Sequence, residues 1–381
     1  MAREVLWGGV LYGQNGYARA NRRLCFACVP TIRVQAHPHP QLGVVDHTPP
    51  VELAILRSLA QVEVSERAPA LWVSGPNGRR SDVRYSILYT MMETRRLHED
   101  FAARLKGYDE IWAPTSWNLS QFGQAAPGAV LRRVPLGVDP FVFRPEGDER
   151  MFPARLLTTE RAGAVEVPEG FLVATLSLPS FRKGFDFAVQ ACEAAFGDHP
   201  ADVALILMTT FHQGGVEEAV PGLREILGKA RIRVYQLGFD GDFIDDWSLA
   251  ALYRACHVYL APSRGEGFNM PLFEAAACGL PVVASGIDAH VEYLTDEDAW
   301  IDPIEGYSTY PGAERISPWY DGQEFARFGK RSLEAAVEAL REIYDRPIQA
   351  SEKAGAFSRR VRSQFTWEAA SSIILDRILE V

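Results

Sequence analysis

The chain has 381 residues, 47% of them hydrophobic and 23% charged, and a formal net charge of −10. That length exceeds what one ordinary hydrophobic core fills and suits two domains of similar size. The acidic balance excludes wholesale nucleic-acid binding, which needs a basic face, and no apolar run reaches the roughly 20 residues of a membrane span.

Short β-rich apolar runs alternate with helical periods along the whole chain, which predicts an α/β fold of parallel sheets covered by helices. Strands are expected near Glu4–Val10, Thr31–Gln35, Ala70–Ser74, Tyr85–Thr90, Glu110–Pro114 and Val130–Pro135 in the first half. The second half offers Gly170–Ser177, Val203–Met208, Arg231–Leu237, Val258–Ala261 and Pro281–Ala284, with helices such as Gly184–Phe196 and Glu217–Lys229 between them. From Phe143 to Pro168 the sequence is rich in Pro, Gly and charge without a steady apolar period, so it reads as an interdomain linker. Domains of 1–150 and 151–365 follow, with a last helix over 366–381 crossing back to the first. Two such domains facing each other place the carboxyl ends of both sheets around a shared cleft, where ligands of open α/β sheets bind.

Five cysteines suit reduced thiols, and Met1–Val10 lacks the pattern of a secretory leader, so a cytoplasmic protein is expected. Cys25 and Cys28 form a C-x-x-C with no second pair to complete a zinc site, which makes them small residues on a buried helix face. His37 and His39, flanked by prolines, read as a loop rather than as metal ligands.

The richest segment starts at the strand ending Leu260-Ala-Pro-Ser263 and runs through Arg264-Gly-Glu-Gly-Phe-Asn-Met270. Pro271 opens a helix that stops at Gly279, the usual asymmetry of helix ends. A Gly-containing loop entering a helix is a ready anion site. Glu266 and Glu274 flank it, two carboxylates suited to the hydroxyls of a sugar and a ribose, although either one alone also reads as a solvated or dipole-favoured residue.

In the form EGFNMPLFEAAACGLPVVAS, this E-x7-E resembles the donor-site signature of family-4 retaining glycosyltransferases. Other landmarks occur in the family's order: Ala113-Pro-Thr-Ser116, Leu136-Gly-Val-Asp-Pro-Phe-Val-Phe-Arg-Pro145, Arg182-Lys-Gly-Phe-Asp186, Leu237-Gly238 and Ala251-Leu-Tyr253. The resemblance runs from Gly8 to Phe365-Thr-Trp-Glu368 and implies the GT-B fold, an acceptor domain followed by a donor domain. It implies a hexosyltransferase acting on a nucleotide sugar and a hydroxyl acceptor (a glycan, a lipid-linked or a small molecule), with no cofactor and no metal.

Residue by residue, the resemblance places Lys183 and Arg182 on the donor diphosphate, where they stabilise the departing nucleotide. Gly267, Phe268, Asn269 and Met270 present backbone N–H groups to sugar and phosphate. Glu266 holds the sugar, Glu274 the ribose, and Gly238 and Phe239 border the base. Retention in this family lets the leaving phosphate assist deprotonation of the acceptor, so no dedicated protein base is demanded. Gly16, in the glycine-rich turn after the first strand, is expected near donor phosphate and acceptor, or is a plain strand-to-helix turn. Arg19, Arg22 and Arg23 on the next helix are solvated, or meet an anionic acceptor or a membrane surface.

The sequence departs from the family pattern twice. Leu178 stands where many relatives carry Gly-Arg, and Glu93 stands where many carry a histidine. Glu93 orients the acceptor, binds the sugar, or caps a helix over Arg95–Leu105. Asp240-Gly-Asp242 looks like the D-x-D metal motif of another glycosyltransferase fold, but its context beside Leu237-Gly238 speaks for a loop near the base. The rival functions are a non-catalytic nucleotide-sugar binding protein and an epimerase or phosphorylase on the same scaffold.

Overall fold

The structure, a computed structural model, describes residues 3–13, 15–39, 48–76, 83–147, 156–158, 169–177, 180–208, 222–239 and 244–381. By their contacts they divide into one unit of Met1–Met92, Arg96–Gly137 and Phe365–Val381, and another of Glu93–Arg95 and Val138–Gln364.

In the first unit six strands form one sheet: β1 (Glu4–Gly9), β2 (Arg33–Pro38), β3 (Ala70–Val73), β4 (Ser86–Tyr89), β5 (Glu110–Ala113) and β6 (Val130–Arg133). Their order is β2-β1-β3-β4-β5-β6, and every neighbouring pair is parallel. β4 and β5 are buried along their whole length, as strands covered on both faces are. The chain leaves β1 for β2 on one side and returns to β3 on the other, which makes the carboxyl end of β1 the switch point. Gly8 ends there because a Cβ would lie 2.1 Å from the Trp72 ring, and Gly9 because its φ is +108°.

The following helix, Gly16–Cys28, is capped by the Asn15 side chain, which accepts from Ala18 N. Arg22 on this helix is only 1% exposed, which corrects the expectation of a solvated or ligand-facing arginine. Its guanidinium donates to the carbonyls of Leu11 (2.8 Å) and Gly13 (2.6 Å) and to Glu52 (2.5 Å), so it pins the glycine-rich turn. Cys25 and Cys28 are buried on the same helix. The last helix, Trp367–Ile378, packs on it, and Arg377 Nε reaches the fully buried Glu110 carboxylate at 2.6 Å.

The second unit is built on seven strands: β7 (Leu156–Thr158), β8 (Phe171–Leu176), β9 (Val203–Met208), β10 (Arg233–Phe239), β11 (Val258–Ala261), β12 (Val282–Ser285) and β13 (Trp300–Asp302). Their order is β13-β12-β11-β8-β9-β10-β7, parallel except for β7. β7 comes from within the expected linker: Leu156–Thr158 pairs antiparallel with Leu237–Phe239 along the outer edge of β10. The helix Phe185–Phe196 turns Phe185, Ala188, Val189 and Cys192 into a core shared with the sheet and with helix Lys330–Asp345. A hairpin of β14 (Tyr307–Thr309) and β15 (Glu324–Ala326) completes the unit.

The boundary between units falls at Gly137, ahead of the expected 150. Its cause is packing: Val142 and Phe143 are buried, and the Phe143 ring meets Tyr253 of the second unit at 6.4 Å. The expected helix Glu217–Lys229 appears as Leu223–Lys229, its earlier part lying outside the described residues. Among the described residues no helix is long and apolar enough to cross a membrane.

Candidate active site

β8 has β9 on one side and β11 on the other. The loops after β8 and β11 therefore share the switch point of the second sheet, the usual ligand edge of such folds. After β8 the chain makes one 3-10 turn, Phe181–Lys183, closed by Gly184 with φ +69°. A Cβ on Gly184 would lie 1.9 Å from the Pro262 carbonyl oxygen, so the two loops touch backbone to backbone only with glycine here. Arg264 ties them further. Its N–H donates to Arg182 O (2.6 Å), and its guanidinium forks onto Asp186 at 2.8 and 2.7 Å.

This junction brings four of the expected residues together. Glu266 is 5% exposed and accepts from Lys183 Nζ (2.5 Å), Arg182 Nη1 (2.8 Å) and Ser263 Oγ (2.7 Å). Burial works against its charge, but Lys183 and Arg182 outweigh burial and hold the carboxyl at about 2. Burial lowers Lys183, helped by the charge of Arg182, while Glu266 opposes the shift. Desolvation lowers the half-buried Arg182 as well, yet Tyr320, Glu266 and Glu93 raise it above its ordinary value. The cluster is thus a compact set of opposite charges whose members cannot act independently.

Glu93 is the fourth. Its Oε1 is 3.9 Å from Arg182 Nη2, and its Oε2 accepts from the Tyr320 hydroxyl at 2.9 Å. The capping alternative is corrected: the helix begins later, at Glu99, and the His98 ring accepts from Asp100 N in the cap position.

The helix Met270–Ala277 starts from Asn269, whose φ of +80° is the one positive value outside glycine among the described residues. Asn269 holds this conformation without capping its own helix. Its Nδ2 donates to His290 Nε2 at 3.0 Å, and His290 Nδ1 donates to Ser285 O at 2.8 Å. These partners require the neutral ring with its proton on Nδ1, and burial lowers the His290 pKa accordingly. Gly267, Phe268 and Met270 are buried beside Asn269, and the Phe268 ring stacks on Phe273 at 4.4 Å. The resulting helix terminus, next to two half-buried cations, suits a diphosphate. Glu274, 3% exposed, lies within this helix with the Tyr253 hydroxyl 3.4 Å from its Oε2.

Gly238 and Phe239 are the last two residues of β10, in register with Leu157 and Leu156 of β7. Gly16 is exposed at the start of its helix in the first unit. Leu178 and Asp240–Asp242 lie outside the described residues. Tyr320, His290 and Arg264 complete the cluster without having been singled out from the sequence. The only cue was a tyrosine- and phenylalanine-rich stretch around residues 307–328, and its partner Glu93 is 227 positions away from Tyr320.

Residues 170–307 match the family model described as Glycosyl transferases group 1. The chain is similar to the serotype-specific mannosyltransferase WbdA of Escherichia coli, 31% identical over 137 residues, which is 36% of this chain and 16% of that protein. The chain therefore spans only about a sixth of that relative's length. It is 28% identical over 247 residues to a GDP-mannose-dependent α-(1-6)-phosphatidylinositol monomannoside mannosyltransferase of Mycolicibacterium smegmatis, covering 60% of this chain and 59% of that one. Among solved structures, sucrose-phosphate synthase of Thermosynechococcus elongatus superimposes with a TM-score of 0.70 at 17% identity, over 99% of this chain and 98% of that chain.

Proposed function

We propose that this chain, which belongs to the group 1 glycosyl transferases of family 4 and has the GT-B fold, moves a hexosyl group from a nucleotide sugar to a hydroxyl acceptor with retention at the anomeric carbon. The observation that carries the proposal is the junction of Arg182 and Lys183 on the buried Glu266 beside the Asn269 helix terminus, at the switch point of the second sheet. Cations beside a helix N-terminus accept a diphosphate. Glu266 accepts hydrogen bonds from neutral sugar hydroxyls, and Glu274 takes the ribose.

In the reaction, the bond between the anomeric carbon and the diphosphate oxygen breaks as the acceptor oxygen attacks the same face. Charge accumulates on the departing diphosphate, where Lys183 and Arg182 are placed to stabilise it. That phosphate takes the acceptor's proton. The two relatives are mannosyltransferases, one of them GDP-mannose-dependent, so GDP-mannose is the first donor to test.

The test is a thermal-shift screen of GDP-mannose, UDP-glucose and the corresponding nucleotides, followed by assays of donor hydrolysis and transfer. A ligand that binds the folded state raises the melting point by mass action. Stabilisation with turnover supports the proposal. No shift with any nucleotide sugar overturns it, and binding without hydrolysis or transfer indicates a non-catalytic sugar-nucleotide binder.

A further inference from the structure

We propose that Tyr320 is a positioning residue that holds Glu93 off Arg182, and so keeps Arg182 engaged with Glu266 and available to the donor diphosphate. The inference rests on the transferase reading above. It starts from the segment between β14 and β15, which makes two 3-10 turns, Ala313–Arg315 and Pro318–Tyr320. The second turn delivers Tyr320 into the interior, where it is 6% exposed. Burial and the neighbouring Glu93 carboxylate both push its pKa well up, so the hydroxyl stays protonated and donates to Glu93 Oε2 at 2.9 Å.

Everything around this bond is held from another side. Phe325 of β15 is 1% exposed and packs on Tyr320 (5.2 Å) and Phe181 (4.9 Å), and Ala326 N donates to Arg264 O at 2.8 Å. The tyrosine is therefore anchored to the loops that carry Arg182 and Glu266. The backbone of Glu93 is fixed as well. A Cβ on Gly265 would lie 2.1 Å from Glu93 O, Arg95 N donates to Glu324 O at 3.3 Å, and the Arg95 guanidinium lies 4.3 Å over the Tyr307 ring.

With both backbones fixed, the remaining freedom belongs to the Glu93 carboxylate. Tyr320 occupies Oε2, leaving Oε1 at 3.9 Å from Arg182 Nη2, beyond hydrogen-bond reach. Arg182 keeps its close contacts to Glu266 Oε2 (2.8 Å) and Gly265 O (2.6 Å). Without the tyrosine hydroxyl, Glu93 is free to turn both oxygens onto Arg182. It would then compete with the diphosphate for the same guanidinium, most strongly when charge builds on the leaving nucleotide.

The experiment measures GDP release from GDP-mannose by the full chain for the wild type, Tyr320→Phe, Glu93→Gln and the double variant. Phenylalanine keeps the ring packing on Phe325, and melting points monitor folding. The expected result is a kcat lowered about tenfold in Tyr320→Phe with KM within about twofold, since one charge-assisted hydrogen bond is lost only where charge develops. In the Glu93→Gln background the same substitution should change nothing, because a neutral glutamine has no charge to draw to Arg182. Wild-type turnover with no Tyr320→Phe effect, or with the full effect retained beside Glu93→Gln, overturns this inference alone. No GDP release from GDP-mannose by the wild type, nor UDP release from UDP-glucose, overturns the transferase reading and this inference with it.

Discussion

Lys183 Nζ stands 2.5 Å from Glu266 Oε1, with the glutamate buried and the lysine half-buried, so removing either charge strands the other. Glu266→Ala leaves two half-buried cations without their partner and should cost about 3 kcal/mol of stability, the lower end for a broken buried pair. Glu266→Gln keeps one acceptor oxygen and the side-chain shape but sets an amide N–H2 against one of the cationic donors, and should cost about 1–3 kcal/mol, which makes it the milder variant for kinetics. Its turnover should fall on the order of 100-fold through the lost sugar contact. Affinity for GDP should hold or tighten, because Arg182 and Lys183 are freed for the diphosphate. Glu274→Ala, by contrast, should weaken GDP binding in calorimetric titration. Equal weakening of GDP by both changes contradicts this division of roles.

The contact between the β8 and β11 loops depends on a single missing methyl. Gly184→Ala places a Cβ 1.9 Å from Pro262 O at a φ of +69°, and should destabilise by at least about 2 kcal/mol while displacing Arg182 and Lys183. Gly228 provides the comparison, since it lies in helix Leu223–Lys229 with nothing within 4 Å of its ideal Cβ. Gly228→Ala should stabilise by about 0.5–1 kcal/mol through helix propensity. Urea titrations of both variants read the contrast directly, and a neutral Gly184→Ala refutes the close approach.

These two glycines show what the chain discloses on its own. Gly184 follows Arg182-Lys183 and opens a strongly apolar helix, so its place beyond a strand was readable from local pattern. The same holds for β8 to β12, whose Val/Ile/Leu runs are long enough to decide strand against loop. β7 was hidden because three residues in a Pro- and charge-rich stretch have no period, and only pairing with Leu237–Phe239 makes them a strand. The domain boundary was displaced for a similar reason, since Val142 and Phe143 reveal their allegiance only through burial. Arg182, Lys183, Glu266 and Glu93, which the structure brings together, are singled out by motif. Tyr320 and His290 are not, because nothing local ties them to Glu93 or Asn269. Arg22 was misread since a helical arginine next to a glycine-rich turn looks solvated until its carbonyl partners are seen.

In the first unit, Arg377 carries the attachment of the last helix. Its guanidinium contacts Glu110 Oε1 (2.6 Å) and the Tyr85 hydroxyl (3.2 Å), and Glu110 has no exposed surface. Tyr85 and Trp112 also donate to the Glu110 carboxylate, at 2.8 and 2.7 Å, so Arg377→Ala removes the charge partner and leaves two neutral donors. The expected cost is about 3 kcal/mol, the lower end for a broken buried pair. Replacing Glu110 by Gln together with Arg377→Ala should recover part of it. Denaturant melts of the single and double variants test this, and a double variant no more stable than Arg377→Ala rejects the stranded-charge explanation.

His290 gives the fold a pH dependence of predictable sign. Burial depresses its pKa below the ordinary 6.5, and the attraction of Glu266 offsets this only in part. Between the depressed native value and 6.5 the unfolded chain binds a proton that the native ring does not, so lowering the pH favours unfolding there. The contribution is fully present above about 6.5 and declines below it, by at most about 1.4 kcal/mol per pH unit for one proton. Protonation would also put a donor on Nε2 against Asn269 Nδ2, breaking the bond that holds the +80° backbone at the helix start. Unfolding free energies of the wild type and His290→Gln, measured from pH 7.5 to 5.5, should diverge: the wild type falls more steeply, and the glutamine variant lacks that component. Parallel slopes would mean that His290 takes up its proton as readily in the native state as in the unfolded one, and the Asn269–His290 bond could not then be what fixes the helix terminus.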